Sequence, residues 1–372
     1  MPAPDLRANV AIIGAGPSGT AAAARLAQLG VGDVLLCDKA DFPRDKTCGS
    51  GISPKGIQVL RELGVWASVE PHSYPIRGIR LVTPGDRESW QSAGAKAAAV
   101  VCQRRVLDHE LLKAALRGGV RFEPGVTATE LSVEGGRTVG FRARDGRRFL
   151  ARYTLVAGGT HCRLGAAARP RRMIQAIMGW FEGVPFRPHH VEMVFDRRLA
   201  PYYGWLFPEG PERVNIGITY EDPTLARNAR ALLREFLDKH YRERLAGARQ
   251  LGPFKGHPIA FSYQVGKLCA PGHMVLGEAG LMTHPATAEG IYQGMRSGVL
   301  AAEALAELEA GRATEAQAFA RYERTCRRAF QLSFLGGGLF RRLVKTPLLD
   351  WLVRASAQPA VQSATAKIMA AM

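Results

Sequence analysis

The chain has 372 residues, of which 47% are hydrophobic and 22% are charged, and its formal net charge at pH 7 is +17. This length suits two modest domains or one domain with a large insertion. The basic residues are scattered singly and no aromatic–basic stripe recurs, so we expect no nucleic-acid partner. The longest apolar stretches are shorter than the ~18 residues of a membrane-spanning helix. With no CxxC pair and no recognisable secretory leader, the sequence predicts a cytoplasmic protein without a metal site.

The first motif combines a short apolar strand, a glycine-rich turn and an alanine-rich helix. Residues 10–13 form a β-branched run typical of a buried strand, and the residues from Gly14 to Gly19 follow in G-x-G-x-x-G spacing. In such a turn Gly14 bends the chain, Gly16 lets the backbone approach a pyrophosphate, and Gly19 lets the helix pack on the strand. The free N–H groups of the helix N-terminus, around Ser18, attract the same anion. The motif therefore predicts a dinucleotide site.

An acidic residue ends the second predicted strand, at residues 34–39. Asp38 lies about 20 residues after Gly19, where a carboxylate accepts hydrogen bonds from ribose hydroxyls and disfavours a 2′-phosphate. Nicotinamide dehydrogenases usually continue with further strand–helix repeats, whereas a long irregular loop follows here at residues 40–56. The glycine motif by itself leaves nicotinamide and flavin dinucleotides open.

That loop carries a family resemblance. Arg44, Lys46, Cys48 and Gly49 occupy the positions of a Pro-Arg-(Asp)-Lys and Cys-Gly pattern, with Ser50 in place of a second glycine. In these residues the chain resembles the FAD-dependent oxidoreductases with the para-hydroxybenzoate hydroxylase fold, and most of all their geranylgeranyl reductase-like group.

Two further stretches agree with the first fingerprint. Residues 101–116 resemble the family's R-x-x-(F/L)-D segment, with Arg104 and Asp108 in the matching places. In the family's second fingerprint, A-D-G-x-x-S, the chain has Gly158 for the aspartate and Cys162 for the serine. The resemblance therefore extends to this segment with two substitutions.

The third fingerprint, at residues 270–305, is the most specific match. Gly277 and Glu278 stand where the family has Gly-Asp, and Pro285, Gly290 and Ile291 match the loop that lies against the flavin and opens a long helix. A positive helix end at this place stabilises a reduced, anionic flavin.

The resemblance implies FAD as the cofactor and NADH or NADPH as the electron donor. It implies a cofactor site made of Gly14, Gly16, Ser18, Gly19, Asp38, Lys39, Arg44, Cys48, Gly49, Arg104, Gly277, Glu278, Gly290 and Ile291.

The same resemblance implies an α/β (α+β) fold, in which a Rossmann-like FAD-binding domain is interleaved with an antiparallel-sheet substrate domain. We expect the FAD-binding domain at residues 1–69, 97–168 and 266–330, the substrate-binding sheet at 70–96 and 169–265, and a C-terminal helical tail at 331–372. Because residues 336–359 mix leucine, phenylalanine and tryptophan with arginine and lysine, this tail can lie peripherally on the inner face of a membrane or dock on the flavin domain.

Three aromatic residues alternate along one predicted strand. Tyr203, Trp205 and Phe207 belong to a segment that resembles the reductase-like group's Y-x-W-x-F-P pattern, and alternation places them on one face. Such a face can wall a small lipophilic substrate, or it can be the aromatic core face of a sheet. For proton transfer the candidates are Cys48 and His284, and His161 also lies near a flavin-loop position from which an imidazole could exchange protons.

The family supports several reactions. We expect an FAD-dependent oxidoreductase, and we favour NAD(P)H-driven monooxygenation of an aromatic or prenylated metabolite through a flavin hydroperoxide. Reduction of isoprenoid C=C bonds by reduced FAD is the first alternative. A non-catalytic prenyl-lipid carrier is the second.

Overall fold

The computed structural model describes residues 5–92, 98–165, 172–226, 228–347 and 350–351. The strands of this part of the chain are β1 Leu6–Ile13, β2 Val34–Cys37, β3 Gly51–Ile52, β4 Tyr74–Ile76, β5 Gly78–Val82, β6 Glu88–Ser92, β7 Ala99–Val101, β8 Arg121–Glu123, β9 Ala128–Glu134, β10 Arg137–Ala143, β11 Arg148–Val156, β12 Arg172–Glu182, β13 His190–Val194, β14 Gly204–Pro208, β15 Arg213–Tyr220, β16 Arg249–Gln250, β17 Lys255–Phe261, β18 Cys269–Ala270 and β19 His273–Val275. The α-helices are α1 Pro17–Gln28, α2 Pro54–Glu62, α3 Trp66–Val69, α4 Arg104–Arg117, α5 Pro223–Ala226, α6 Ala229–Leu245, α7 Ile291–Glu309 and α8 Glu315–Val344.

The first sheet has the order β18-β19-β11-β1-β2-β8, with β10 and β9 added as an antiparallel extension of β11. The central pairs are parallel: β1 pairs with β11 and β2, β2 with β8, and β11 with β19. Their apolar runs are buried, as expected for strands covered on both faces. This Rossmann-like arrangement brings the carboxyl ends of β1, β2, β11 and β19 to one edge, where ligands bind in open α/β sheets.

Helices α1 and α7 pack directly on each other beside this sheet. A Cβ atom added at Gly298 of α7 would lie 2.2 Å from the carbonyl oxygen of Ser18 in α1, so the two backbones are in close contact. The contact fixes the N-terminus of α7 relative to the turn after β1. Both helix N-termini therefore point toward the same edge of the sheet.

The second sheet has the order β16-β12-β15-β14-β13-β5-β6, with β17 beside β12. Its pairs are antiparallel except for β13 with β5. Helix α6 covers one face through Leu233, Phe236 and Tyr241, and the opposite face carries the aromatic residues of β14. A small third sheet has the order β3-β7-β4, and its strands alternate along the chain with strands of the other two sheets.

The strands of the second sheet fall in the segments 70–96 and 169–265, and those of the first sheet in the segments expected for the FAD-binding domain. Two elements lie differently from the expected division. Strand β4 pairs with β7 in the small third sheet rather than in the second sheet. Helix α8 is continuous through residue 331, so the expected tail begins inside a helix that packs on the protein body.

Candidate active site

The turn between β1 and α1 has the geometry of an anion-binding loop. Gly14 adopts φ +101°, which a side chain disfavours, and a Cβ at Gly19 would lie 1.9 Å from the carbonyl oxygen of Gly14. At Gly16, by contrast, the nearest neighbouring atom would be 3.9 Å away. Gly16 is also the N-cap of α1 and no side chain caps this helix end, so its first N–H groups are free for a phosphate.

Asp38 connects this turn to the end of β2. One carboxylate oxygen accepts the Ala15 N–H at 2.7 Å, and the other accepts the Ala40 N–H at 2.9 Å. The carboxylate retains lone pairs for ribose hydroxyls. Lys39, in contrast, is exposed and does not line the cavity described below.

The loop before α7 supplies a second helix N-terminus. Gly290 is the N-cap and no side chain caps the helix, which leaves its first N–H groups available. Glu278 accepts the Ala260 N–H at 3.0 Å and so joins the loop to β17 of the second sheet. Gly277 packs against α1, where a Cβ would lie 2.2 Å from the Ser18 hydroxyl oxygen.

A buried charge cluster lies where the first turns of α4 meet the loop after β2. Arg104 makes a bidentate ion pair with Asp108, both N–O distances being 2.7 Å, and Arg44 approaches the same carboxylate at 2.9 Å. The Nη1 atom of Arg44 is buried and has no hydrogen-bond partner. Burial, together with the nearby Arg104 guanidinium, lowers the pKa of Lys46. This excess of positive charge suits an anionic group.

A cavity of about 380 Å³ connects these features with the second sheet. It is lined by eight of the residues expected to bind the cofactor: Gly16, Ser18, Cys48, Gly49, Arg104, Glu278, Gly290 and Ile291. Gly14, Gly19, Asp38, Lys39, Arg44 and Gly277 do not line it. Except for exposed Lys39, these residues shape or contact the turns beside it. The rest of the wall is mainly apolar and includes Met178, Met193, Phe195, Ile259 and Phe340.

All three aromatic residues of β14 line this cavity. The Tyr203 hydroxyl donates to the Thr287 carbonyl at 2.6 Å, and Trp205 Nε1 donates to Asn215 Oδ1 at 2.7 Å. Phe207 lies over the loop that carries Cys48, since a Cβ added at Gly49 would be 3.3 Å from its ring. Tyr203 and Trp205 are also members of a buried cluster, so this face is both a core face and a cavity wall.

The two proton-transfer candidates have different surroundings. Cys48 is half-buried, lines the cavity, and accepts the Ser50 N–H at its sulfur at 3.3 Å. His284 does not line the cavity: its Nε2 faces the Ser333 carbonyl at 3.2 Å, and its Nδ1 faces the N–H of Thr287 at 3.1 Å. Burial lowers the pKa of His284 to about 4, so its ring is neutral near pH 7. These contacts hold the His284 ring inside the loop before α7, outside the cavity wall.

Several polar residues of the cavity wall were not among the predicted site residues. They include Lys46, His257, Thr283 and Glu289. Burial raises the pKa of Glu289, and its Oε1 atom has no partner. Glu289 is the one charged residue of the sequence from Ala286 to Ile291, and this could have identified it as a candidate site residue. His257 comes from β17, where nothing in the sequence distinguishes it from a surface strand residue.

Comparison with known proteins agrees with this geometry. The family described as an FAD binding domain matches residues 7–198. Menaquinone reductase of Mycobacterium tuberculosis (strain H37Rv) is 31% identical over 321 residues, which cover 81% of this chain and 77% of that protein. Digeranylgeranylglycerophospholipid reductase 1 of Methanothermobacter thermautotrophicus is 29% identical over 333 residues, covering 86% and 82%.

A solved structure shares the fold over nearly the whole length. A geranylgeranyl bacteriochlorophyll reductase-like protein of Thermoplasma acidophilum superposes with a TM-score of 0.83 at 22% identity, covering 94% of this chain and 91% of that one. The turn, the two helix ends and the interleaved sheets define an FAD-dependent oxidoreductase. The chain belongs to the FAD binding domain family.

The residues present fit FAD. The tight packing at Gly14 and Gly19 against the open position at Gly16 forms a cradle for a pyrophosphate. The unpartnered Nη1 of Arg44 is a donor without an acceptor, which a cofactor oxygen would satisfy. The uncapped N-terminus of α7 opens onto the same cavity, where it would stabilise negative charge on a reduced ring.

Proposed function

We propose that this protein reduces C=C bonds in the isoprenoid chain of a lipid. The observation that carries the proposal is the mainly apolar cavity that continues from the two helix N-termini to the aromatic face of β14. A long hydrocarbon substrate needs such a wall because burial of its apolar surface supplies most of its binding free energy. The names of the two curated relatives, a menaquinone reductase and a prenyl-lipid reductase, favour the same substrate class. The sequence alone favoured oxygenation, and these relatives reverse that preference.

The chain contributes binding, orientation and exclusion of water. Bound FAD, once reduced, would supply a hydride to one carbon of the double bond. Three positive groups would stabilise negative charge on the bound cofactor at the end of the cavity where the glycine turn lies. They are the N-termini of α1 and α7 and the Arg104 guanidinium. Trp205 and Phe207 cover the loop around Gly49, which keeps water away from the reacting carbons.

Saturation of a double bond also needs a proton at the second carbon. We propose that the Cys48 thiol donates it, since Cys48 lies in the cavity wall beneath the aromatic face. The S–H bond breaks as the new C–H bond forms, and the thiolate takes up a proton from solvent afterwards. The Ser50 N–H at 3.3 Å, together with Arg104, stabilises the transient negative charge on sulfur.

The deciding experiment uses FAD-loaded protein, reduced chemically under nitrogen, with menaquinone and a digeranylgeranylglycerol phospholipid as probes. A product whose isoprenoid chain is heavier by two hydrogen atoms, located by fragmentation after any menaquinol has been reoxidised to the quinone, supports C=C reduction. A product heavier by one oxygen atom, formed only when oxygen is admitted, would establish monooxygenation instead. Binding of either lipid without any change in mass over many reduction cycles would leave the carrier function.

Cys48→Ala tests the proton donor. We expect kcat to fall at least tenfold with KM and bound FAD unchanged, because general acid catalysis contributes roughly 10²–10⁴-fold. Cys102→Ala is the matched control, since Cys102 is buried outside the cavity wall. Equal loss in both variants would assign Cys48 a packing role.

We also propose NADH or NADPH as the electron donor. Loss of the yellow flavin absorbance on adding either nucleotide under nitrogen would support this. If chemical reductant bleaches the protein and both nucleotides fail, the donor is another protein.

A further inference from the structure

Helix α8 has two faces of opposite character. Phe330, Phe334 and Val344 are buried against the protein body. Leu332, Leu335 and Leu339, which recur at helical spacing on the opposite face, are 83%, 50% and 69% exposed. We call these three leucines the leucine ridge. Three large apolar side chains in a row on one exposed face are uncommon on a surface that meets only water.

The helix that carries the ridge is held firmly. Arg341, on the inner face, pairs with Glu221, and its guanidinium stacks on Tyr202 at 4.7 Å and on Phe261 at 5.0 Å from the ring centroids. Phe340 reaches the cavity and packs on Phe195, with ring centroids 5.9 Å apart. The ridge is therefore presented on a fixed wall of the substrate cavity.

Positive charge surrounds the ridge. Arg324 and Arg328 precede it on the same helix face, and Arg342 follows it. The arginines of α8 that form ion pairs are Arg321, Arg327 and Arg341, and among the described residues no carboxylate pairs with Arg324, Arg328 or Arg342. The face of α8 that contains the ridge carries no acidic residue between Arg321 and Val344. Trp351, 62% exposed, lies in the segment after α8.

We infer that this face docks on an anionic lipid bilayer. Apolar side chains flanked by arginines, with a tryptophan nearby, match the surface of a helix that lies in the interface of a membrane. The leucines enter the acyl boundary while the arginines contact phosphate groups, each basic residue adding attraction that salt weakens. Among the described helices none is long and apolar enough to cross a bilayer. The inference does not rest on the proposed reaction.

The test is flotation of the full-length protein with phosphatidylglycerol vesicles and with phosphatidylcholine vesicles. We expect binding to the anionic vesicles that falls with added salt, and at least tenfold weaker binding to the zwitterionic ones. The triple variant Leu332→Ser/Leu335→Ser/Leu339→Ser is expected to bind phosphatidylglycerol vesicles at least tenfold more weakly. The reason is that it loses the favourable free energy of transferring three leucine side chains from water into the bilayer. Arg324→Gln/Arg328→Gln/Arg342→Gln should bind about as weakly and lose the salt dependence.

The matched control is Leu29→Ser/Leu116→Ser/Val133→Ser, which removes three exposed apolar side chains elsewhere on the surface. Bound FAD and the thermal midpoint verify that each variant is folded. Wild-type binding by the ridge variants, or no flotation of the wild type, would overturn the inference. A stable dimer of the wild type that the ridge variant loses would also overturn it, since a second copy would then cover this face.

Discussion

The two halves that meet at the cavity are built by different means. In the first sheet, the site is made by backbone: glycines at Gly14 and Gly19 allow contacts that no side chain would permit, and free helix N–H groups face the cavity. In the second sheet, the site is made by side chains: Trp205 and Phe207 project from an ordinary antiparallel strand. A single added methyl group can therefore disrupt the first half of the site. The second half depends instead on the shape and polarity of its side chains.

The largest effect is expected at Gly19. The added Cβ of Gly19→Ala would lie 1.9 Å from the backbone oxygen of Gly14, so the turn itself must move. We expect a loss of about 3 kcal/mol or more in the free energy of unfolding, measured with urea, and little bound FAD.

Gly16→Ala separates binding from folding in the same turn. Gly16 has φ −74° and open space beside it, so the apo-protein should keep its unfolding free energy within about 0.5 kcal/mol. The methyl group occupies the pyrophosphate cradle, and we expect FAD affinity to fall at least tenfold. Equal destabilisation by the two substitutions would contradict the distinction between a packing glycine and a ligand-facing one.

The loop between the two halves predicts that the free energy of unfolding depends on pH. His284 holds the N–H of Thr287, whose carbonyl accepts the Tyr203 hydroxyl. Burial lowers the pKa of His284 from 6.5 to about 4, so below pH 6.5 the unfolded chain takes up a proton that the folded one does not. Stability should therefore fall as the pH drops from 6.5 to 4, by up to about 3 kcal/mol from this residue.

The measurement is the urea unfolding free energy across that pH range. Because burial also lowers the pKa of His257 to about 4, and lowers the pKa values of His109 and His273, the wild type loses stability through several histidines. His284→Gln should therefore remove part of the slope, although it lowers stability at pH 7, and His72→Gln, on the surface, should leave the slope unchanged. An unchanged slope in His284→Gln would show that the ring is not buried in its neutral form.

The two halves also differ in how much of their structure could be predicted from the sequence. The turn at Gly14–Gly19 was predictable because only glycine tolerates its backbone contacts. The spacing of the glycines along the chain shows this requirement directly. Arg44, Arg104 and Asp108 were named only through the family resemblance, and the charge cluster that they form was not predicted, since Arg44 and Asp108 meet through the tertiary fold. Glu289 and His257 were not predicted as site residues, because their surroundings come from burial against distant elements and not from a local sequence pattern. The leucine ridge lay partly ahead of the expected 336–359 segment, because inner and outer faces of α8 become distinct only once the helix has packed.

A smaller effect is expected in the second sheet. Trp205→Phe keeps an aromatic ring in the wall but leaves Asn215 Oδ1, in a fully buried residue, without its 2.7 Å donor. We expect a loss of about 2 kcal/mol in stability with a full complement of bound FAD. Trp90→Phe removes an indole N–H that donates to Glu88 at the surface, and should cost less than about 0.5 kcal/mol. Loss of FAD from Trp205→Phe would mean that the two halves are not separable.

The smallest effect distinguishes two serines of the loop that joins the halves. Ser50 adopts φ +64°, a conformation that glycine enters without strain, and its hydroxyl makes only a 3.4 Å contact with the Cys48 carbonyl. Ser53 has φ −68° and caps α2 by accepting the Gly56 N–H. Ser50→Gly should therefore stabilise the protein by about 0.5 kcal/mol, whereas Ser53→Ala should destabilise it by about 1 kcal/mol. Because both residues line the same cavity, opposite signs in thermal unfolding would trace the difference to backbone conformation rather than to burial, and equal signs would refute that origin.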